Sequence, residues 1–182
     1  MNILIANDDG FSAVGIKKLA ARLANDNEVF VVAPMGERSG TSHSVSFFSG
    51  ITYRYEGELD GIKTWSVSGS PADCVLFGIK YLLKDVKIDA VVSGINTTLN
   101  AGSDIIFSGT FGAAQEGTFQ RVPSIAVSLR THHTDEYEFA ADFIARNLEK
   151  LLSFATENVT INVNIPDTKP ENIKGVKIAP VA

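Results

Sequence analysis

Unbroken apolar runs alternate with helix-spaced apolar positions from the start of the chain. Ile3-Leu4-Ile5-Ala6 carries no polar residue, the pattern of a strand buried on both faces. Asn7-Asp8-Asp9-Gly10 stops it. Val14, Ile16, Leu19, Ala20 and Leu23 follow at the spacing of one helical face, with Ser12 placed to cap that helix. Glu28 to Ala33 reads as a second buried strand, ended by Pro34. Strand, helix and strand within roughly 30 residues make a βαβ unit, which predicts a parallel sheet at the centre.

Met35 to His43 is polar and rich in Gly and Ser, and reads as a loop. Val45 to Tyr55 and Ile62 to Val67 read as strands. The turn chemistry of Glu56 to Gly61 between them predicts a hairpin. Ser70-Pro71-Ala72-Asp73 is a helix start, with Ser as N-cap, Pro at the first helical position and Asp at the third. That helix is expected to reach about Leu83. Ile88 to Val92 is another buried strand, ending at Ser93-Gly94-Ile95-Asn96, and a polar loop then extends to Phe107. Ser108-Gly109-Thr110 opens a helix of small residues through Ala113, Ala114 and Glu116. Ile125 to Val127 is a strand, Asp135 to Leu152 the longest helix, and Val159 to Asn164 a further strand. Val176 to Ala182 reads as an apolar strand with nothing after it, so the segment is expected to be part of a longer natural protein. There is no internal repeat, low-complexity tract or linker. The series predicts an α/β fold in one domain, residues 1–182: a three-layer α/β/α sandwich whose doubly wound, mostly parallel sheet carries a β-hairpin insertion.

Composition narrows the function classes. The chain has 182 residues, 45% of them hydrophobic and 20% charged, which excludes a disordered tail or a fibrous repeat. Sixteen basic against 21 acidic residues give a net charge of −5. Counterion release needs clustered Lys and Arg, so nucleic acid is not an expected partner. The single cysteine, Cys74, forms no internal disulfide and no Cys-based zinc site, which fits a reducing compartment. Met1 to Asp9 lacks a basic leader region, and no apolar run approaches the roughly 18 residues of a membrane span. The expectation is a cytoplasmic protein without a membrane partner.

In open α/β sheets ligands bind beyond the carboxyl ends of the strands, where strand order reverses. The residues there are Asn7, Asp8, Asp9 and Gly10, then Pro34 to Thr41 with Ser39 and Gly40, then Ser93 to Asn96. Two carboxylates about 4 Å apart repel by roughly 4 kcal/mol at an effective dielectric near 20. A fold that holds Asp8 beside Asp9 must protonate one or bind a cation. Oxygen ligands favour Mg²⁺ or Mn²⁺ over zinc, and Ser39 and Asn96 can add neutral oxygens. The plain alternative is that Asp-Asp-Gly merely turns the chain. Ser108-Gly109-Thr110 offers a helix N-terminus to an anion, and Ser39-Gly40-Thr41-Ser42 offers hydroxyls and flexible backbone. Capping and solvation are the ordinary explanations of each. Neither a Walker A sequence nor a G-x-G-x-x-G after a strand is present. His43 can touch a phosphate, although a lone loop His is more often solvated; His132-His133 reads as surface, and Cys74 as core packing. Phe47, Phe48, Tyr53 and Tyr55 can either stack on a base or pack the hairpin.

Several of these stretches together resemble the survival protein SurE family of nucleotidases. The resemblance rests on Ile3 to Gly10, Val31 to Pro34 leading to Arg38-Ser39-Gly40, and Gly69 to Val75. It continues in Val91 to Asn96 and Phe107 to Ala114 with Glu116-Gly117. It implies a divalent-metal-dependent phosphatase acting on nucleoside 5′- and 3′-monophosphates. One cation, Mg²⁺ or Mn²⁺, would be held at Asp8, Asp9, Ser39 and Asn96, with Asp8, Asp9 and Asn96 catalytic. Phosphate and substrate contacts are expected from Asn7, Gly40, Thr41, Asn100, Ser108, Gly109 and Thr110. Whether Asp8 acts as nucleophile, as base or only as ligand stays open. The resemblance also implies a homodimer or homotetramer assembled by a C-terminal segment that this chain is expected to lack. The family usually has glycine where this chain has Thr98, so the loop backbone there is expected to differ. Two rivals stand beside this reading. A response-regulator receiver shares the acidic pair but needs an acceptor Asp and a late Lys, where this chain has Asn96 and Arg130. The other is a nucleotide-binding module without turnover.

Overall fold

The computed structural model describes residues 1–131 and 136–180. Among them, β1 (Asn2–Ala6), β2 (Glu28–Pro34), β3 (Tyr53–Leu59), β4 (Ile62–Val67), β5 (Ala90–Asn96), β6 (Ser124–Leu129) and β7 (Ile161–Ile165) form one sheet in the order β3-β4-β2-β1-β5-β6-β7. β3 runs antiparallel to β4 and every other pair is parallel. From β1 the chain winds outward to β2, then returns to β5 on the other side, so strand order reverses between β1 and β5. This is the doubly wound sandwich that the alternation of patterns predicts.

The alternation of side chains along β1 shows how the two outer layers are held. Ile3 and Ile5 face a core made with Ile16, Leu19 and Leu23 of α1 (Val14–Leu23) and with Ala140, Ile144 and Leu148 of α5 (Glu136–Phe154). Leu4 and Ala6 face the opposite core, with Cys74 and Val75 of α2 (Pro71–Phe77) and Ala113 of α4 (Gly109–Phe119). Each fully buried Ile or Leu contributes about 1.5–3 kcal/mol of transfer free energy. A central strand that feeds both layers is therefore the hardest element to displace. No helix among the described residues is long and apolar enough to cross a membrane.

Local chemistry explains where elements begin. Ser70 Oγ accepts from the Asp73 N–H while the Asp73 carboxylate accepts from the Ser70 N–H, the capping box expected from Ser-Pro-Ala-Asp. Asp60 and Gly61 both sit at positive φ, 53° and 78°, so they make the two-residue turn of the hairpin.

Several expectations are corrected. Ser12 does not cap α1: the N-cap is Ala13, without a side-chain bond. The first hairpin strand starts at Tyr53, not Val45, because Ser46 is drawn away to Asp73 by both its N–H (2.8 Å) and its hydroxyl (2.7 Å). α2 ends at Phe77 and continues as one widened π turn, Gly78–Leu82. The loop before Ser108 contains a short helix, α3 (Asp104–Phe107). Residues 176–180 form no strand, and Val176 and Ile178 are exposed. Tyr53 packs on Phe77 and Tyr81, and Tyr55 on Trp65, whereas Phe47 and Phe48 lie in solvent. Cys74 is core, and burial pushes its thiol well up. His132, His133 and the expected helix start at Asp135 lie outside the described residues.

Candidate active site

The carboxyl ends of β1 and β5 meet at the switch point, and β1 delivers the acidic doublet there. Asn7 does not reach outward. Its amide donates to the Gly10 carbonyl (2.9 Å) and accepts from the Gly10 N–H (3.2 Å), closing the turn that presents Asp8 and Asp9. Asp8 is buried, and its carboxylate accepts from the Thr110 hydroxyl and from the Thr110 backbone N–H. Gly109 lies against it: a Cβ there would stand 2.9 Å from Asp8 Cβ and 3.0 Å from Thr41 Oγ1. Only glycine lets the first turn of α4 close on the doublet. Ser108 caps that turn by accepting from the Phe111 N–H (3.0 Å).

Burial dominates the electrostatics. It raises the Asp8 pKa despite the Thr110 donors, with a smaller upward push from Glu37. Asp9 is pushed up to about 6 by burial, then by Asp8, then by Glu37. The fold has thus gathered negative charge that it does not itself neutralise.

The loop after β2 lies over the doublet. The Arg38 N–H donates to the Asp8 carbonyl (2.6 Å), which ties the loop just before Ser39 to the doublet's backbone. Ser39 Oγ donates to Glu37 Oε1 (2.9 Å), and Thr41 Oγ1 donates to the Arg38 carbonyl (2.8 Å). Gly40 is exposed at φ +72° with open space around it. The far end of the loop is clamped to α4. His43, expected in solvent, instead bonds Glu116 Oε2 (2.7 Å) and Gln115 Oε1 (3.1 Å), and its ring sits 5.2 Å from Phe119. A Cβ at Gly112 would come within 2.5 Å of the Ser42 carbonyl, so the loop rides directly on the helix backbone.

On the other side, Asn96 ends β5 buried at 8% exposure. Its Nδ2 donates to the Thr98 carbonyl (2.7 Å) and hydroxyl (3.2 Å), which leaves Oδ1 as the amide's acceptor end. Thr98 does not sit at positive φ. The side chain that glycine would lack is here a second anchor for Asn96. Asn100 is spent on the fold: its Nδ2 donates to Ser128 Oγ (2.8 Å), and its backbone bonds Asn162 and Asn164. Thr110 bonds Asp8, Gly109 packs against both Asp8 and Thr41, Asp9 follows Asp8 in the turn, and Asn96 ends the neighbouring strand. The side chains of Asn7 and Asn100 are engaged elsewhere.

Two residues at the site were not anticipated. Glu37 acts on both Asp8 and Asp9, and Tyr137, at the start of α5, has its hydroxyl pKa raised by burial and by Asp9. Both line a cavity of about 290 Å³ that opens on Asp9. No three His, Cys, Asp or Glu side chains gather as a metal site among the described residues. A cation at the doublet would take two carboxylates and complete its shell with neutral oxygens such as Ser39 Oγ and Asn96 Oδ1. That hard donor set fits Mg²⁺ or Mn²⁺.

With this geometry in view, comparison with known proteins is informative. The profile of the family described as survival protein SurE matches residues 3–182. The "5′-nucleotidase SurE" of Clostridium botulinum strain Alaska E43 is 42% identical over 187 residues, covering all of this chain and 73% of that protein. The protein of the same name from strain ATCC 19397 is 42% identical over 184 residues, with the same coverage. The crystal structure of the SurE protein from Aquifex aeolicus superimposes with a TM-score of 0.86 at 37% identity, over 97% of this chain and 71% of that one.

Proposed function

The chain belongs to the survival protein SurE family and is a 5′-nucleotidase, and from that premise we propose that it hydrolyses both nucleoside 5′- and 3′-monophosphates with a divalent cation, Mg²⁺ or Mn²⁺, held by Asp8, Asp9, Ser39 and Asn96. The reading is carried by the meeting of Asp8 with the first turn of α4 at the switch point, where uncompensated carboxylates and a helix N-terminus share one site.

Uncatalysed phosphate-monoester hydrolysis is so slow that the enhancement required can approach ~10²¹. A bound divalent cation supplies charge compensation for the phosphoryl oxygens and acidifies a coordinated water. The protein's own residues supply orientation. Thr110 fixes Asp8 through its hydroxyl and N–H, so the carboxylate keeps one direction as charge changes in front of it. Thr98 turns the Asn96 amide so that its oxygen is free. Glu37 accepts a hydrogen bond from the Ser39 hydroxyl, which turns the oxygen lone pairs away from it and leaves them available. The Gly109 N–H, without an intrahelical partner at the first position of α4, supplies a donor for an equatorial phosphoryl oxygen.

The test is phosphate release from adenosine 5′- and 3′-monophosphate with Mg²⁺ or Mn²⁺, then after chelation. Both should be hydrolysed, and chelation should cost at least about 100-fold, the rate equivalent of roughly 2.7 kcal/mol. Equal rates after chelation would remove the cation from the reading, and an inert 3′-ester would remove the 3′-activity.

A further inference from the structure

The polar face of β7 is aimed at the loop that follows β5. Ile161, Val163 and Ile165 pack into the core shared with α5, and the period of two along a strand turns Asn162 and Asn164 to the opposite face. Both reach one residue of that loop, Asn100. Asn164 meets both of its backbone groups: Oδ1 accepts from the Asn100 N–H (2.8 Å), and Nδ2 donates to the Asn100 carbonyl (3.0 Å). Asn162 Nδ2 donates to the same carbonyl (2.8 Å). The Asn100 side chain completes the clamp on β6, its Nδ2 donating to Ser128 Oγ (2.8 Å). Ser128 pairs with Asn96 in β5 and with Asn164 in β7. Asn96, Ser128 and Asn164 therefore stand in one row across three strands, and Asn100 is bonded to the other two.

We propose that Asn164, helped by Asn162, is a positioning residue for the candidate cation site, acting through Asn100 and Thr98 on the Asn96 amide. The proposal deepens the nucleotidase reading and rests on the cation placed at Asn96. Only Thr97, Thr98 and Leu99 separate Asn96 from Asn100. Asn96 is fixed in the sheet and Asn100 by the clamp, so the backbone between them has little room to move. Within that span Thr98 holds the Asn96 amide, its carbonyl (2.7 Å) and hydroxyl (3.2 Å) both accepting from Nδ2. Release of Asn100 lets Thr98 drift and the amide rotate, which brings a donor where a cation needs an acceptor. Solvation of a sheet face asks only for polar groups. Two amides directed at one backbone residue fix a conformation instead. A partner that orients a metal ligand governs about 10–100-fold in affinity, and the β7 amides act one residue further out.

The experiment is calorimetric titration of Mn²⁺ into the wild type, Asn164→Leu, Asn162→Leu, Asn96→Ala and the doubles of each leucine variant with Asn96→Ala. Asn164→Leu deletes two of the three side-chain bonds to the Asn100 backbone, and Asn162→Leu deletes the third. Affinity should fall at least about threefold in Asn164→Leu and at least about twofold in Asn162→Leu. With Asn96→Ala already in place, either leucine should change affinity by less than about 1.5-fold, because the amide through which the clamp acts is gone. A purely structural role lowers the melting temperature and leaves Mn²⁺ affinity unaltered, or weakens it equally with and without the Asn96 amide. Either result, in a wild type that binds Mn²⁺, overturns the positioning role alone. Should Asn164→Leu fail to fold, Asn162→Leu and its double decide by the same comparison. A wild type that binds no Mn²⁺ overturns the cation reading and the positioning role with it.

Discussion

Replacing His43 by alanine tests how the loop over the site is held. Both ring nitrogens face oxygens, Glu116 Oε2 at 2.7 Å and Gln115 Oε1 at 3.1 Å, so the protonated ring, with an N–H at each position, satisfies both. The bond to Glu116 is the largest cause of the raised His43 pKa, and burial opposes it. Glu116, opposed by its own burial, is held low by His43 and then by Gln120. The side chains are 19% and 7% exposed, so this is a largely desolvated pair and not a surface ion pair. Its removal leaves Glu116 buried with one partner, Gln120. A hydrogen bond to a charged group is worth about 1.5–3 kcal/mol. At about 2–4 °C per kcal/mol for a chain of this size, His43→Ala should melt roughly 3–12 °C lower. The sign with pH follows from linkage. The raised His43 value gives stability that is complete below its unfolded value of 6.5 and is lost as pH rises through the folded value. The lowered Glu116 value gives stability that is complete above its unfolded value of 4.5 and is lost as pH falls through the folded value. Thermal unfolding at pH 5.5 and pH 8.5 should therefore show a wider gap between wild type and variant at pH 5.5. A gap of equal size at both values, or a wider one at pH 8.5, refutes the ion pair.

Asp9→Asn should weaken Mn²⁺ binding at least about tenfold, or 1.4 kcal/mol, by calorimetry on the isolated protein; unaltered affinity removes Asp9 from the ligand set. Gly109→Ala forces a methyl to within 2.9 Å of Asp8 Cβ and 3.0 Å of Thr41 Oγ1, and such misplacement should cost roughly 100-fold in kcat/KM with the fold kept by circular dichroism. A normal rate would show that the α4 turn does not set the doublet. Thr98→Val keeps the shape but deletes one of the two acceptors of the Asn96 amide. A loss of about 0.5–1.5 kcal/mol predicts roughly 2- to 10-fold weaker cation binding, and no change would mean that the Thr98 carbonyl holds Asn96 unaided.

Where local energetics decide, the sequence was legible. The βαβ start, the Ser70 capping box and the small-residue opening of α4 follow from burial pattern, cap chemistry and helix packing, and each is present. The errors fall where tertiary bonds override local preference. Val45 to Thr52 has strand composition, yet Ser46 is held by Asp73, and the Ser70 hydroxyl donates to the Ser44 carbonyl (2.5 Å). Those bonds need partners more than 25 residues away and leave no trace in a local window. The same holds for His43: a polar residue in a polar loop gives no sign that α4 will offer it a carboxylate.

The candidate site divides along the same line. Asp8 and Asp9 stand two and three residues past β1, and Asn96 is the last residue of β5, so a strand-end rule finds them before any contact is known. Glu37 shares their loop edge, and its distance of two residues from Ser39 was the available signal; its chemistry became visible only when the loop folded back on Asp8. Tyr137 carries a misleading signal. It lies on the same buried stripe as Ala140, Ala141, Ile144 and Leu148, and an aromatic on that stripe reads as core packing. It is core packing along most of its ring, being 5% exposed, while another part of the side chain lines the cavity on Asp9. A large side chain on the edge of a core can belong to the core and to a cavity wall at once. Periodicity assigns a residue to a face, and only the placement of a neighbouring strand end decides whether that face stops at packing or opens on chemistry.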